Sequence, residues 1–448
     1  MLLDNYRKDI GFTPYVNTGT MYDLYTGKYR PATNGGWVLD GGLSQCVGVS
    51  GRGQTYKSGI AGSLLARSLL VHPLAEAIVY ETEGTVNGPE RYDDFVPNGQ
   101  KVSDRIVFRS ATEMTLSDFH DMLKEVVENK LEHKKDYIVE TPFYDNRNSK
   151  PYKAWIPTII LIDSFSRARS GKGDAVYDEN SVDSSGMNTL FMTEGGVKTR
   201  FMNDLPTRAN RAGVYVILTA HVGEKFQLDP YNKSPKQLQY MRNTDKMKNV
   251  GSSFEFLTTT LIQTLRAVVL QNKDKKCEYP TKFSTDIEVN QVDTMMVRCK
   301  NNASGLQLPF VVSQYQGILD AVTNFNFLRQ YKDYGLDIQG NKQAFSPVIY
   351  KDHWVKKSNL RELTDNDYAL SRALELTAQL CYIQNWWNTW NLPSYVSMTP
   401  MQLAEKLDHS NNCNVDRVLQ STGVWSTSKQ DRERLTLLDV LQILDKEK

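Results

Sequence analysis

Gly51-Arg52-Gly53-Gln54-Thr55-Tyr56-Lys57-Ser58 is the stretch from which the rest of the chain is read. It follows the apolar run Cys46–Ser50 and precedes the amphipathic run Gly59–Val71, so it is a turn between a strand and a helix. Backbone N–H groups of a glycine-containing turn, with the helix N-terminus, hold an anionic phosphate. In such a turn Lys57 reaches the terminal phosphates and Ser58 ligates Mg²⁺. The usual form has a second glycine before the lysine, and here Tyr56 stands in its place. On this segment alone, a glycine-rich turn without a ligand remains the alternative.

Working outward, short apolar runs recur at Ala77–Tyr80, Ile106–Phe108, Thr158–Ile162 and Val214–Thr219. Helical patterns lie between them at Leu116–Asn129 and Val197–Arg211. Continuous apolar runs suit strands covered on both faces, so the expected class is α/β with a central, mostly parallel sheet. Two acids then stand at strand ends, Glu83 beside glycine in the closing part of the run Ala77–Thr85 and Asp163 after Thr158–Ile162. In a parallel sheet both open on the crevice where ligands bind. With ATP in the turn, Asp163 holds Mg²⁺ through a water and Glu83 orients and activates the attacking water. Either acid taken alone reads equally well as a solvated strand-end carboxylate.

The order of these motifs resembles the RecA-type recombinases. The likeness is carried by Thr82-Glu83-Gly84-Thr85 with Pro89-Glu90-Arg91, by Ile159–Ser164, by Val214–His221, and by Val297-Arg298-Cys299-Lys300-Asn301-Asn302 with Pro309-Phe310 and Gly317-Ile318. It covers about residues 17 to 330. The aromatic Tyr56 and the run Gly317–Asp320 are most similar to the phage UvsX-like branch. The resemblance implies a RecA-like P-loop ATPase core that binds ATP and Mg²⁺. It makes Glu83 the catalytic carboxylate, lays Arg91 along the adenine, and makes His221 the sensor of the γ-phosphate. Lys57 acts on the bound phosphates, and Lys300 reaches the ATP of a neighbouring subunit. Asn302 departs from the pattern, where these proteins carry a second basic residue, which bears on the strength of that cross-subunit contact.

The resemblance also places two DNA-binding loops, near 166–185 and 223–251. The first opens with Arg167, Arg169 and Lys172. The second carries Lys225, Lys233, Lys236, Arg242, Lys246 and Lys248, interspersed with Phe226, Tyr231 and Tyr240. Cations track a phosphate backbone and aromatic rings stack on bases. Without the resemblance, a solvated basic loop is the plainer reading.

The chain has 448 residues, enough for two or three domains. The expected division is an N-terminal arm and entry to the core (1–40), the ATPase core (41–330) and a mostly helical C-terminal domain (331–448). Leu2, Leu3, Tyr6, Ile10 and Phe12 are candidate anchors of the arm on a neighbouring subunit. Trp386, Trp387 and Trp390 read as core residues of a helical bundle. Net charge is +1, so any grip on nucleic acid is local. No apolar run has transmembrane length and the first residues lack a signal-peptide pattern. Five scattered cysteines show no zinc spacing and argue against a disulfide framework. A cytoplasmic setting is expected, the host cytoplasm if the chain is phage-encoded.

The expected function is an ATP-dependent homologous recombination protein, a DNA-dependent ATPase. It would form a helical homo-oligomeric filament on single-stranded DNA, then pair it with duplex DNA and exchange strands. The alternatives are a ring-forming RecA-fold helicase or translocase, and a non-catalytic filament or recombination mediator. The C-terminal region is open to gating duplex DNA or to binding a mediator or single-strand-binding protein.

Overall fold

In chain order the first elements are α1 (Met21–Thr26), β1 (Lys28–Pro31), β2 (Trp37–Asp40), β3 (Cys46–Gly51), α2 (Lys57–Val71), β4 (Glu76–Glu81) and β5 (Ile106–Ser110). They are followed by α3 (Leu116–Glu132), β6 (Ile138–Asp145), β7 (Lys150–Trp155), β8 (Thr158–Asp163), α4 (Met187–Ala212), β9 (Val214–Glu224) and β10 (Asp245–Met247). Then come α5 (Ser253–Leu257), β11 (Thr260–Val269), β12 (Val289–Cys299), β13 (Gln307–Ser313), β14 (Gly317–Ile318) and α6 (Asp320–Gln330). The last are β15 (Leu336–Gln339), β16 (Ala344–Pro347), α7 (Leu360–Asn366), α8 (Tyr368–Trp386), α9 (Pro400–His409), α10 (Val415–Gln420) and α11 (Leu437–Lys446).

The structure is a computed structural model, and it describes residues 12–145, 149–171, 187–225, 236–251, 253–341, 343–386 and 393–447. Leu2, Leu3, Tyr6, Ile10, Lys172, Phe226, Tyr231, Lys233, Trp387 and Trp390 lie outside the described residues, as does the side chain of Trp386.

The chain is α/β, built on a mixed ten-stranded sheet of order β14-β13-β12-β11-β3-β9-β8-β4-β5, with β10 paired to β9. From β11 to β5 every pairing is parallel, and β12, β13, β14 and β10 join antiparallel. Side chains alternate between two buried clusters. Val47, Val49, Ala77, Val79, Ile159, Leu161 and Ile217 face one, against Ile60, Leu64 and Leu65 of α2. Cys46, Ile78, Tyr80, Ile160, Ile162, Val216 and Leu218 face the other, against Phe119 and Leu123 of α3 and Phe201 and Leu205 of α4. Both faces are covered by helices, which is why the strands read as unbroken apolar runs.

The described part of the arm, residues 12–40, is fastened to the C-terminal region. Trp37 N donates to Asp439 Oδ1 at 2.6 Å and Trp425 N to Asn17 Oδ1 at 2.9 Å. Phe12 stacks on Tyr152 of the β6–β7 hairpin at 4.6 Å, so its ring is engaged within its own chain. After residue 330 helices predominate, beside the small β15–β16 hairpin. Thr399 caps α9 in a reciprocal box with Gln402, and Pro400 takes the first turn, where its missing N–H costs nothing. Leu437, Leu438, Leu441 and Leu444 of α11 join the same buried cluster as α2. No helix among the described residues is long and apolar enough to cross a membrane, and all five cysteines are free.

Candidate functional site

The turn from β3 into α2 is shaped by its backbone. Tyr56 adopts φ 61°, ψ 25°, the left-handed conformation, just before Lys57 opens the helix. Gln54 is left-handed as well, at φ 59°. Left-handed geometry is normally a glycine's, which accounts for the glycine usually found at position 56. Tyr56 makes the same turn with a side chain, and its partly buried ring packs on the core. Gly51 has no room for a side chain, because a Cβ there would lie 1.9 Å from Thr264 Oγ1. Thr55 Oγ1 donates to Arg52 O at 2.8 Å and meets Thr264 Oγ1 at 2.6 Å, which ties the turn to β11. Around Gly53 there is open space.

Lys57 is only 8% exposed. Its ammonium reaches Arg52 O at a long 3.5 Å. Burial pulls its pKa down, opposed by the charges of Glu83 and Asp163. A buried ammonium with one weak hydrogen bond fits an anion between the turn and those acids.

The strand order puts β9 and β8 between β3 and β4. The C-terminal ends of β3, β9, β8 and β4 therefore present Lys57, His221, Asp163 and Glu83 along one edge of the sheet. Asp163 is buried, and its Oδ1 accepts from Ser58 Oγ at 3.1 Å and Thr219 Oγ1 at 2.5 Å. Burial raises its pKa, and these hydroxyls work against the rise. Glu81, also buried, accepts the backbone N–H groups of Glu83, Gly84 and Thr85. It thereby folds the bend that presents Glu83. Glu83 Oε1 then accepts from His221 Nε2 at 2.7 Å. A carboxylate only accepts, so this nitrogen carries the hydrogen.

The pair of Ser58 and Asp163 fits Mg²⁺. That ion takes one or two protein oxygens and completes its shell with phosphate oxygens and water. A hydroxyl and a carboxylate 3.1 Å apart beside the turn are such a pair. Gly51, Gly53, Gln54, Thr55 and Tyr56 form the backbone of the turn beside this pair.

Arg52 and Arg91 have other partners. The Arg52 guanidinium pairs with Glu224 Oε1 and Asp245 Oδ1, each at 3.0 Å. Arg91 donates to Asp94 Oδ2, Tyr315 O and Gln314 O, and lies 4.4 Å from the centroid of Phe95. It thus anchors the turn Pro89–Phe95 to the β13–β14 connection.

Lys300 sits at the other edge of the sheet. Its N–H donates to Thr259 O at 3.2 Å, and Thr259 N donates to Cys46 O, at the first residue of β3. The glycine-containing turn begins at the last residue of β3, about 17 Å further on at ~3.3 Å per residue. Lys300 is exposed and does not reach its own Lys57. Asn302, which departs from the basic residue of the resembling family, caps the end of α1, donating to Tyr25 O at 2.9 Å.

Of the basic residues assigned to the loops, Arg167, Arg169, Lys225, Lys236, Arg242, Lys246 and Lys248 are described, and all but Lys225 are exposed. Among the described residues, the segment expected as a loop from 223 to 251 includes strand near both ends. β9 runs on to Glu224, and β10 returns along it with Asp245 opposite Glu224. The two loop roots are bonded together. His221 N donates to Ser166 Oγ at 2.9 Å, Ser166 Oγ to Lys248 O at 2.9 Å, and Lys248 N to His221 O at 2.8 Å. Lys198 of α4, 3% exposed, donates to Ser166 O at 3.0 Å and Asn249 O at 2.9 Å.

Thr219, Glu81, Asp245 and Lys198 are neighbours of the candidate site that sequence reasoning passed over. Glu81 and Thr219 stand at ends of strands already assigned, where a polar residue closing an apolar run was the available signal. Lys198 had none, since a lysine in a polar helical stretch reads as solvated. No family model matches the chain, and no curated protein matches it significantly in sequence.

Proposed function

We propose that this chain is a RecA-type, UvsX-like recombinase, an ATP- and Mg²⁺-dependent protein that assembles on single-stranded DNA and promotes pairing and strand exchange with duplex DNA. One observation carries the reading. The glycine-containing turn with buried Lys57, the Ser58–Asp163 pair and the Glu83–His221 pair converge on the edge from which both basic loops depart. In this reading Lys57 holds the terminal phosphates, and Ser58 and Asp163 would hold a Mg²⁺ ion, which would supply positive charge against the charge developing on them. Glu83 takes the proton of the attacking water, and His221 keeps that carboxylate aimed. Lys300 lies too far from its own turn to act there, so its role requires a second copy. That supports an assembly in which one subunit's Lys300 faces the next subunit's phosphates.

The test is ATP hydrolysis with and without single-stranded DNA, with Lys57→Ala as control, and direct imaging of the assembly. Hydrolysis stimulated by DNA, abolished by Lys57→Ala and accompanied by an open helix on DNA is the expected result. Hydrolysis indifferent to DNA, or a closed ring, would sink the recombinase reading and favour the ring ATPase.

A further inference from the structure

The phosphate turn and the second loop share a residue that the proposed chemistry leaves aside. Arg52 holds both strands of the β9–β10 hairpin at once, since its two partners, Glu224 and Asp245, stand directly opposite each other in that ladder. The next rung outward is Lys225 N donating to Thr244 O at 2.7 Å, where the chain leaves for residues 226–235. The two carboxylates are unequal. Asp245 is 3% exposed, and its other oxygen accepts from Gln263 Nε2 at 2.6 Å. Glu224 is mostly solvated. The firm half of the clamp is therefore the Arg52–Asp245 pair.

The same residue faces the nucleotide side through its backbone. Arg52 O accepts from Lys57 Nζ at 3.5 Å and from Thr55 Oγ1 at 2.8 Å. A polyphosphate in the turn offers Lys57 a stronger acceptor than that carbonyl, and offers the guanidinium an anion that competes with Asp245.

We propose that Arg52 is a positioning residue that transmits occupancy of the phosphate turn to the β9–β10 hairpin: a bound nucleoside triphosphate draws it from Asp245 and loosens the root of the second loop. The proposal rests on the reading of the turn as a phosphate site. It gives the nucleotide a route to the second loop that is separate from the Glu83–His221 pair.

The experiment is amide hydrogen exchange of residues 222–224 and 245–247, without nucleotide and with Mg²⁺ and a slowly hydrolysed ATP analogue, alongside direct titration of nucleotide binding. In the wild type the analogue should speed exchange of these amides about tenfold. In Asp245→Asn, which keeps the shape and removes the charge, exchange should be fast in both states and the nucleotide response should vanish. A purely structural role for Asp245 would raise exchange but leave the response in place. Arg52→Gln gives the same comparison should Asp245→Asn fail to fold, because the Arg52 side chain is 42% exposed whereas that of Asp245 is 3% exposed. A full response in variants that still bind the analogue overturns the coupling and leaves the phosphate site standing. Absence of binding by the wild type overturns both.

Discussion

His221 Nε2 donates to Glu83 Oε1 at 2.7 Å, while the backbone of His221 is bonded on one side to Ser166 and on the other to Lys248. One residue therefore touches the proposed catalytic carboxylate and the roots of both basic loops. Glu83→Gln keeps a hydrogen-bonding shape but cannot take a proton from water. It should lower single-turnover hydrolysis by about 10²–10⁴ with little change in nucleotide affinity. Equal loss of both would make Glu83 a structural residue. His221→Ala should keep nucleotide binding and lose the stimulation of hydrolysis by single-stranded DNA, and undiminished stimulation would remove its role as a sensor of the γ-phosphate.

Tyr56 tests whether the turn needs a glycine's conformation or a glycine. Its left-handed backbone costs roughly 1–2 kcal/mol relative to an ordinary residue conformation. Tyr56→Gly relieves that cost and loses the packing of a partly buried ring. Nucleotide affinity should stay within about threefold, because the backbone geometry is unchanged. Tyr56→Ile places a β-branched residue where φ is 61° and should weaken both nucleotide binding and thermal stability. Fluorescent-nucleotide titration and a thermal melt read the two effects, and an Ile variant that binds normally would refute the conformational account.

The fold was legible wherever one physical signal dominated. Strands β3, β4, β8 and β9 are covered on both faces, so their apolar runs stand out, and α2 follows its turn directly. The β6–β7 hairpin was missed because it is half-exposed and carries Glu140, Lys150 and Lys153 among its apolar residues. β10 was missed because a three-residue strand with Asp and Lys in it gives no period. In the site, Lys57, Ser58, Asp163, Glu83 and His221 stand out in the sequence because each lies at or just beyond the polar end of an apolar run, and the strand order brings those ends together. Arg52 was assigned to phosphate by position, but its partner Asp245 lies 193 residues away and only the tertiary fold brings them together. Lys198 and Asn302 follow the same rule, since their roles are set by which loop end or helix end packs over them.

Asn302 and Lys300 separate structure from chemistry within one short segment. Asn302→Ala leaves the Tyr25 carbonyl without its side-chain donor and should destabilise the chain by about 1–2 kcal/mol, read by urea unfolding, without altering nucleotide affinity. Lys300→Ala should reduce DNA-stimulated hydrolysis more than ATP binding. Because Lys300 cannot reach its own turn, an equal mixture of Lys300→Ala and Lys57→Ala proteins should regain activity, with about a quarter of the subunit contacts joining an intact turn to an intact lysine in a head-to-tail assembly. A mixture no more active than its parts would rule out action across subunits.

Lys198 carries a pH signature that sets it apart from a passive stitch. Burial lowers the pKa of its ammonium from 10.5 to about 8. Between those values the unfolded chain holds the proton and the folded one does not, so stability rises with pH. The contribution is complete above 10.5 and is lost as pH falls through about 8. The two carbonyls it serves, Ser166 O and Asn249 O, need only two donors, and a neutral amine still has them. Deprotonation therefore relieves the cost of a buried charge without breaking the link between the loop roots. Lys198→Met removes both donors and the titration. Near pH 7.5 it exchanges a costly buried charge for two unpaired carbonyls, and the net change should be small. By pH 10 the wild type should gain on the order of 2 kcal/mol relative to the variant. Urea unfolding of the two proteins at several pH values reads the difference, and the background titration of surface groups cancels between them. A difference that stays flat or shrinks as pH rises would show that Lys198 remains charged between the loops.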